Sequence, residues 1–184
     1  YAVILGKLAQ KTKGRVLAIE PNPTSFEKLR ENIALNKLKD TVILEKLAIS
    51  DTAGNSLLIL DDSQSHIGNA QTKNDKACTV DVVTLENLLQ KHNINKVDLL
   101  IIDVEGAELP VLRGFPWDSA CAENIYCELH PYAWKDFGYD GYEFDAFLKK
   151  HNFRAVDMYL YEHVSFHTKA YIGPTIFLRN NVKK

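Results

Sequence analysis

Apolar residues follow two alternating patterns along this chain of 184 residues. Short, nearly continuous apolar runs are typical of buried strands in a parallel sheet, and apolar residues spaced every three to four positions are typical of amphipathic helices. The clearest run, residues 97–104, predicts a strand buried on both faces. Further strands are predicted at residues 15–20, 42–47, 57–60, 79–83, 124–129, 154–161 and 175–178, and helices at 1–10, 23–36, 85–92 and 142–151.

The order of these elements predicts an α/β fold. Strands alternate with helices until the end of the chain, where the strands at 154–161 and 175–178 follow one another. This order predicts a Rossmann-like, doubly wound sheet that is mostly parallel and ends in a C-terminal antiparallel hairpin. Because no repeat or linker interrupts the pattern, we expect a single domain over residues 1–184.

The first elements of the chain resemble the second half of a βαβ nucleotide-binding unit. A helix is followed by a strand that ends in Glu20, and in such units an acidic residue lies about 20 positions after a glycine-rich turn. Counting back places that turn before Tyr1, so we expect the domain to be N-terminally incomplete, without its first strand and glycine-rich loop. The alternative is a domain that starts with a helix, in which Glu20 is only a strand-end acid.

Composition narrows the range of partners. Lysine plus arginine (22) nearly balance aspartate plus glutamate (24), which argues against the basic surface of a nucleic-acid-binding protein. The chain has no apolar run near the ~20 residues that a membrane-spanning helix needs. The three cysteines lack the CxxC spacing of metal sites, and they predict a reducing compartment such as the cytoplasm.

The strongest chemical signal is the acidic pair Asp103 and Glu105 at the end of the strand predicted at 97–104. In open α/β sheets, ligands bind beyond the carboxyl ends of the strands, so we expect these carboxylates to contact a ligand. The alternative is that they, and Glu108 after them, only favour the N-terminus of the next helix.

Several segments resemble the FkbM-type S-adenosylmethionine-dependent methyltransferases, in the family's order and over most of the chain. The resemblance implies a class I methyltransferase sheet and S-adenosylmethionine as the cofactor. The family's glycine-rich loop is absent from this sequence, so we expect the 184-residue chain by itself to bind the cofactor poorly. The matching segments are RVLAIEPNP at 15–23, LAISD at 47–51 with Gly54, VTLE at 83–86, DVEGAE at 103–108 with Val111, Leu112 and Gly114, and ELHP at 128–131.

The resemblance also implies roles for individual residues. Glu20 would accept hydrogen bonds from both ribose hydroxyls, Asn22 would assist it or serve only as a helix cap, and Ala48 would lie against the adenine edge. Asp103 would hold the ammonium group of the cofactor, orient the substrate or help to bind a divalent metal, and its charge would also suit the cationic sulfonium. His130 is the predicted catalytic base, because imidazole accepts a proton near neutral pH, and Asp103 would assist it. Asp103, Glu105 and His130 have metal-binding chemistry but no metal-site spacing, so no metal is assigned.

The predicted reaction is methyl transfer to a hydroxyl of a small molecule or sugar. Two other functions stay open. Glu20 would equally suit the ribose of NAD in an oxidoreductase, and the missing loop would suit a catalytically inactive binding module. The expected partners are a small-molecule or carbohydrate substrate, with no nucleic acid and no membrane span.

Overall fold

The computed structural model describes residues 1–60, 65–68, 76–163, 165–167 and 173–180. They belong to two compact units. The first comprises residues 1–48 and 54–82, and the second comprises residues 49–53 and 83–184. The prediction of one domain over the whole chain stays a prediction.

The first unit begins with two helices and a parallel pair of strands. Its elements are α1 (Ala2–Thr12), β1 (Val16–Ile19), α2 (Pro23–Leu35) and β2 (Val42–Glu45), and β1 pairs with β2. A left-handed lysine ends α1. Lys13 adopts the left-handed conformation (φ 58°), and the N–H of Gly14 donates to the carbonyl of Ala9 at 2.8 Å. The two N–H groups after the helix thereby satisfy one of its terminal carbonyls.

Four short strands form a second sheet. They are β3 (Ala48–Ile49), β4 (Gly54–Ile59), β5 (His66–Ile67) and β6 (Ala77–Val83), in the order β3-β6-β4-β5. Strands β4 and β6 are antiparallel. Four buried side chains form the core of this sheet: Ala48, Leu58, Val80 and Val82.

The second unit contains the largest sheet and three helices. The strands are β7 (Lys96–Ile102), β8 (Cys121–Leu129), β9 (Phe153–Val156), β10 (Glu162–His163) and β11 (Gly173–Arg179), in the order β10-β9-β11-β8-β7. The helices are α3 (Leu85–Lys91), α4 (Glu108–Arg113) and α5 (Gly141–Lys150), with a 3-10 turn at Trp134–Phe137. Strands β7 and β8 are parallel, and β11 is antiparallel to both β8 and β9. The predicted antiparallel pairing of the last long strands is therefore confirmed.

Strand pairing among the described residues does not confirm the single sheet predicted from the sequence. Among the strands that the structure describes, β1 pairs only with β2 and β7 only with β8, so these strands lie in separate hydrogen-bonded sheets. A sheet is continuous only where backbone groups of neighbouring strands pair directly. The first strand expected before Tyr1 stays a prediction.

Burial of two segments also differs from the sequence pattern. Leu99 in β7 is 45% exposed, and only Ile102 of that strand is buried, so the strand is not buried on both faces. Ile4 and Leu8 of α1 are also exposed. An apolar pattern indicates which face of a helix or strand can be buried. That face is buried only where another element packs against it.

No helix in the described ranges is long and apolar enough to cross a bilayer. Cys78 and Cys127 carry free thiols, and the side chain of Cys121 lies outside the described part of the chain. The cytoplasmic location stays a prediction.

Candidate active site

The parallel register of β7 and β8 positions the candidate site. Ile102 is paired with Cys127, so the segments that follow the two strands emerge side by side at the carboxyl edge of the sheet. Asp103 comes directly after β7, and His130 directly after β8. The structure therefore brings together the two predicted catalytic residues. Nε2 of His130 lies 4.0 Å from Oδ1 of Asp103.

Glu105 lies beside Asp103 and His130, and these three residues with Glu108 and Tyr132 form the group around His130. Oε2 of Glu105 lies 3.6 Å from Nε2 of His130 and accepts a hydrogen bond from the hydroxyl of Tyr132 at 2.7 Å. Glu105 and the following Gly106 both have positive φ, 50° and 106°, and they form a tight turn after β7. A Cβ at Gly106 would lie 2.5 Å from Cβ of Ala133, so the close approach of the two segments requires glycine.

Glu108 is the residue whose role the sequence reasoning missed. It begins α4, as a carboxylate favouring a helix N-terminus would, but its side chain is fully buried and binds specific donors. Nδ1 of His130 lies 2.8 Å from Oε1. Further hydrogen bonds come from N–H of Gly106 (2.9 Å), Nε1 of Trp134 (2.9 Å) and the hydroxyl of Tyr139 (3.0 Å). The available sequence signal is a glutamate directly before the apolar residues 109–112.

Burial and neighbouring charges shift the pKa values of Asp103 and His130. Burial raises the pKa of Asp103, the charges of Glu128, Glu105 and Glu108 raise it further, and the lowering by His130 is smaller than their sum. Burial lowers the pKa of His130, but the hydrogen bond to Glu108 and the three surrounding carboxylates raise it above its usual value. His130 is therefore a stronger base than an isolated imidazole.

Tyr132 and Asp103 are the exposed members of the group around His130. Partial burial and its hydrogen bond to Glu105 raise the pKa of Tyr132 to about 12, so its hydroxyl stays protonated near neutral pH. The ring is 60% exposed and meets the His130 ring edge-on at 5.8 Å between centroids. Tyr132 thus lies beside His130 and remains open to a ligand.

The other aromatic residues of this region are core residues. Trp134 stacks on Tyr139 and on Phe144, at 5.4 and 5.0 Å between ring centroids. All three are buried, so their role is packing rather than the wall of an open pocket. Trp134 and Tyr139 also form hydrogen bonds with Glu108, and these contacts stabilise the segment that carries His130 and Tyr132.

The site offers one arrangement that suits a cation. One ligand atom each from Asp103, Glu105 and His130 lie within 4.8 Å of one another. Two carboxylates and an imidazole are suitable ligands for a divalent metal. The same arrangement also suits proton transfer, in which the carboxylates stabilise a protonated imidazole. The absence of a metal therefore stays a prediction.

Glu20 and Asn22 lie together in the first unit, after β1. Oε1 of Glu20 accepts the N–H of Asn22 at 2.8 Å, and no described hydrogen bond reaches its Oε2. Burial raises the pKa of Glu20, and the bond from Asn22 lowers it less than burial raises it. A partly buried carboxylate with a free oxygen suits a hydroxylated ligand.

Asn22 is confirmed as the cap of α2. Its Oδ1 accepts the N–H groups of Thr24 and Ser25, and its Nδ2 donates to Oγ of Ser65 at 2.9 Å. Ala48 is 5% exposed and packs in the core of the four-stranded sheet. Its methyl group contacts that core, so any ligand contact of Ala48 would come from its backbone.

The relatives found by comparison with known proteins are named as methyltransferases. The chain is 27% identical to the hexuronic acid methyltransferase AglP of Haloferax volcanii over 119 residues, which are 65% of this chain and 48% of AglP. It is 28% identical to Methyltransferase 1 of Beauveria bassiana over 137 residues (62% and 54%) and 29% identical to methyltransferase sdnD of Sordaria araneosa over 133 residues (55% and 51%).

The chain spans about half the length of the curated relatives it matches. No solved structure matches it significantly. A family model, the methyltransferase FkbM domain, matches residues 5–155, which include both Glu20 and the group around His130. The chain therefore belongs to the methyltransferase FkbM family.

Proposed function

We propose that this protein transfers a methyl group from S-adenosylmethionine to a hydroxyl oxygen of a small molecule or carbohydrate. Family membership and three relatives named as methyltransferases support the reaction type. The name of one relative, a hexuronic acid methyltransferase, supports a carbohydrate acceptor. A buried histidine that faces two carboxylates at the carboxyl edge of the sheet is the observation that carries the proposal.

The residues after β1 fit the cofactor. Oε2 of Glu20 is free of described hydrogen bonds and accepts from ribose hydroxyls, while Oε1 stays on the N–H of Asn22. Asn22 positions this turn through its cap, and Ala48 offers its backbone to the adenine edge. Asp103 stays a predicted contact of the cationic end of the cofactor. S-adenosylmethionine supplies an electrophilic methyl group on a positively charged sulfur.

The residues after β7 and β8 activate the acceptor. Nε2 of His130 takes the proton of the acceptor hydroxyl, which leaves the oxygen with the electron pair that forms the new bond to the methyl carbon. The carbon–sulfur bond would break at the same time, and its electron pair would stay on the sulfur of the departing neutral thioether. Asp103 and Glu105, 4.0 and 3.6 Å from Nε2, stabilise the resulting imidazolium. General-base catalysis of this kind contributes roughly 10²–10⁴-fold. Alignment of the acceptor oxygen with the methyl carbon also contributes to the rate enhancement.

Two experiments test the proposal against its rivals. Isothermal titration of the full-length protein with S-adenosylmethionine and with NAD tests the cofactor, and we expect heat only with S-adenosylmethionine. Binding of NAD alone would show an oxidoreductase. Incubation with a panel of hydroxylated acceptors that includes hexuronic acids, followed by mass spectrometry, tests the reaction.

We expect a mass increase of one methyl group on one acceptor class, and fragmentation that places it on oxygen. Methylation of nitrogen or carbon would contradict the hydroxyl assignment. Cofactor binding without methylation of any acceptor in the panel would favour a binding module.

A further inference from the structure

The fully buried carboxylate of Glu108 is not used by any step of the proposed reaction. Burying a carboxylate is costly unless hydrogen bonds compensate its lost hydration. Four polar groups meet this one: N–H of Gly106 and Nδ1 of His130 at Oε1, and Nε1 of Trp134 and the hydroxyl of Tyr139 at Oε2. The Tyr139 hydroxyl shares its one proton between Oε2 and the carbonyl of Gly106, which lies at 2.8 Å. A backbone N–H and an indole N–H can only donate. Each oxygen therefore accepts at least one hydrogen bond, which compensates part of the lost hydration.

An acceptor at 2.8 Å determines the tautomer of His130. Oε1 of Glu108 accepts the N–H of Gly106, and as a carboxylate oxygen it accepts from Nδ1 as well, so Nδ1 carries a proton. In neutral imidazole the lone pair then lies on Nε2, the nitrogen that faces Asp103 and Glu105. No described hydrogen bond reaches Nε2, since both carboxylates lie beyond hydrogen-bond distance.

We propose that Glu108 is a positioning residue that holds His130 in the Nδ1–H tautomer and aims Nε2 at the acceptor hydroxyl. This inference rests on the proposed function, in which His130 is the base. Glu108 has no exposed surface, so it acts only through His130 and never touches the substrate. The bond from Gly106 to the same oxygen also couples the turn after β7 to the imidazole.

The network offers a matched control on the other oxygen. Glu108→Gln replaces one carboxylate oxygen with an N–H donor. Each oxygen faces one group that can only donate, the N–H of Gly106 or Nε1–H of Trp134, so one of these two donors is left unsatisfied in either amide orientation. Tyr139→Phe removes the hydroxyl that contacts Oε2, the carbonyl of Gly106 and the N–H of Leu109, and it leaves the contact between Oε1 and Nδ1 of His130 in place. Both changes disturb the same buried carboxylate, and only the first changes what His130 meets.

The first test needs no variant. Nitrogen-15 NMR of the imidazole nitrogens of His130, recorded above its pKa, distinguishes the two tautomers. We expect a protonated Nδ1 and an unprotonated Nε2 in the wild-type protein. The opposite tautomer would overturn the inference, whether or not any acceptor is methylated. If the wild-type protein shows the expected tautomer but methylates no acceptor, the result would count against the proposed function and not against the inference.

The second test compares the variants. We expect Glu108→Gln to lower kcat about 10²-fold, to move the acid limb of the pH profile to lower pH, and to populate the Nε2–H tautomer. The titratable groups that face His130 in the described structure are Asp103, Glu105, Glu108 and Tyr132, and only Glu108 changes. Tyr139→Phe should keep the wild-type tautomer and acid limb. Equal effects of the two variants on tautomer and acid limb would show a merely structural role. If Glu108→Gln does not fold, the tautomer of His130 measured in the wild-type protein decides whether the inference holds.

Discussion

Nδ1 of His130 and Oε1 of Glu108 lie 2.8 Å apart, although 22 positions separate the two residues in the chain. The pairing joins the end of β8 to the beginning of α4. It leaves the opposite ring nitrogen facing the carboxylates of Asp103 and Glu105. The activity expected of this site therefore depends on one orientation of one imidazole.

His130→Gln is expected to lower kcat about 10²–10⁴-fold, because the variant has no base to take the acceptor proton. The affinity for S-adenosylmethionine should stay within about threefold, since the base is proposed to contact only the acceptor. Steady-state kinetics and titration measure the two effects. His151→Gln, at the end of α5, is the matched control and should keep wild-type kcat. If His130→Gln kept more than a tenth of the wild-type kcat, His130 would not be the catalytic base.

A chelator should leave methyl transfer unchanged. Nε2 of His130 is proposed to receive a proton rather than to bind a metal, so the reaction needs no divalent cation. Activity is compared after dialysis against EDTA, with and without added Mg²⁺ or Mn²⁺. Loss of activity that either cation restores would show that Asp103, Glu105 and His130 are metal ligands.

Glu20→Gln is expected to weaken S-adenosylmethionine binding about 10–100-fold, because a charge-assisted hydrogen bond contributes about 1.5–3 kcal/mol. The amide oxygen can still accept the N–H of Asn22, so the turn after β1 is preserved. Titration calorimetry measures Kd. In the comparison variant Asn22→Ala, loss of the helix cap should lower the free energy of unfolding by about 1 kcal/mol. Unchanged affinity in Glu20→Gln would remove Glu20 from the cofactor site.

Gly106→Ala is expected to destabilise the protein and to lower kcat. A Cβ there would lie 2.5 Å from Ala133 and 2.9 Å from Phe137, in addition to the cost of φ 106°. Gly138→Ala is the control, because Gly138 also has positive φ but open space around the added Cβ. The control should lose about 1–2 kcal/mol, and Gly106→Ala about 1–3 kcal/mol more. Equal losses in chemical denaturation would refute the steric explanation.

Asp145 is expected to make stability depend on pH. Burial acts to raise its pKa, but hydrogen bonds from Ser165, Phe166 and His167 lower it below its usual value. A lowered native pKa stabilises the fold above the unfolded value of about 4, and this stabilisation is lost as pH falls through the native pKa. Asp145→Asn should therefore cost about 1–3 kcal/mol at pH 7 and progressively less below pH about 4.

Urea denaturation of wild type and Asp145→Asn at pH 7 and at pH 3 measures this difference. Asp118→Asn, at an exposed aspartate, serves as the control. A difference that is the same at both pH values would show that the Asp145 carboxylate contributes no ionisation-linked stability.

The local elements could be predicted from the sequence because their signals are local. Asn22 before Pro23, and Thr84 before an apolar helix, are cap signals that the structure confirms. The parallel strands and the antiparallel pair at the end of the chain followed from apolar runs and their order. Asp103 and His130 could be expected together because both follow strands whose carboxyl ends meet at one edge of a parallel sheet.

Only the tertiary structure decided the rest, because burial and pairing depend on neighbours that are distant in the chain. Leu99 and Ile4 carry apolar patterns but are exposed, and β1 and β7 pair in different sheets. Glu108 looked like a helix-end charge, and its role emerges from donors that lie 22–31 positions later in the chain. A sequence pattern defines which side chains could be buried or ionised, and the folded contacts determine which of them share a hydrogen bond.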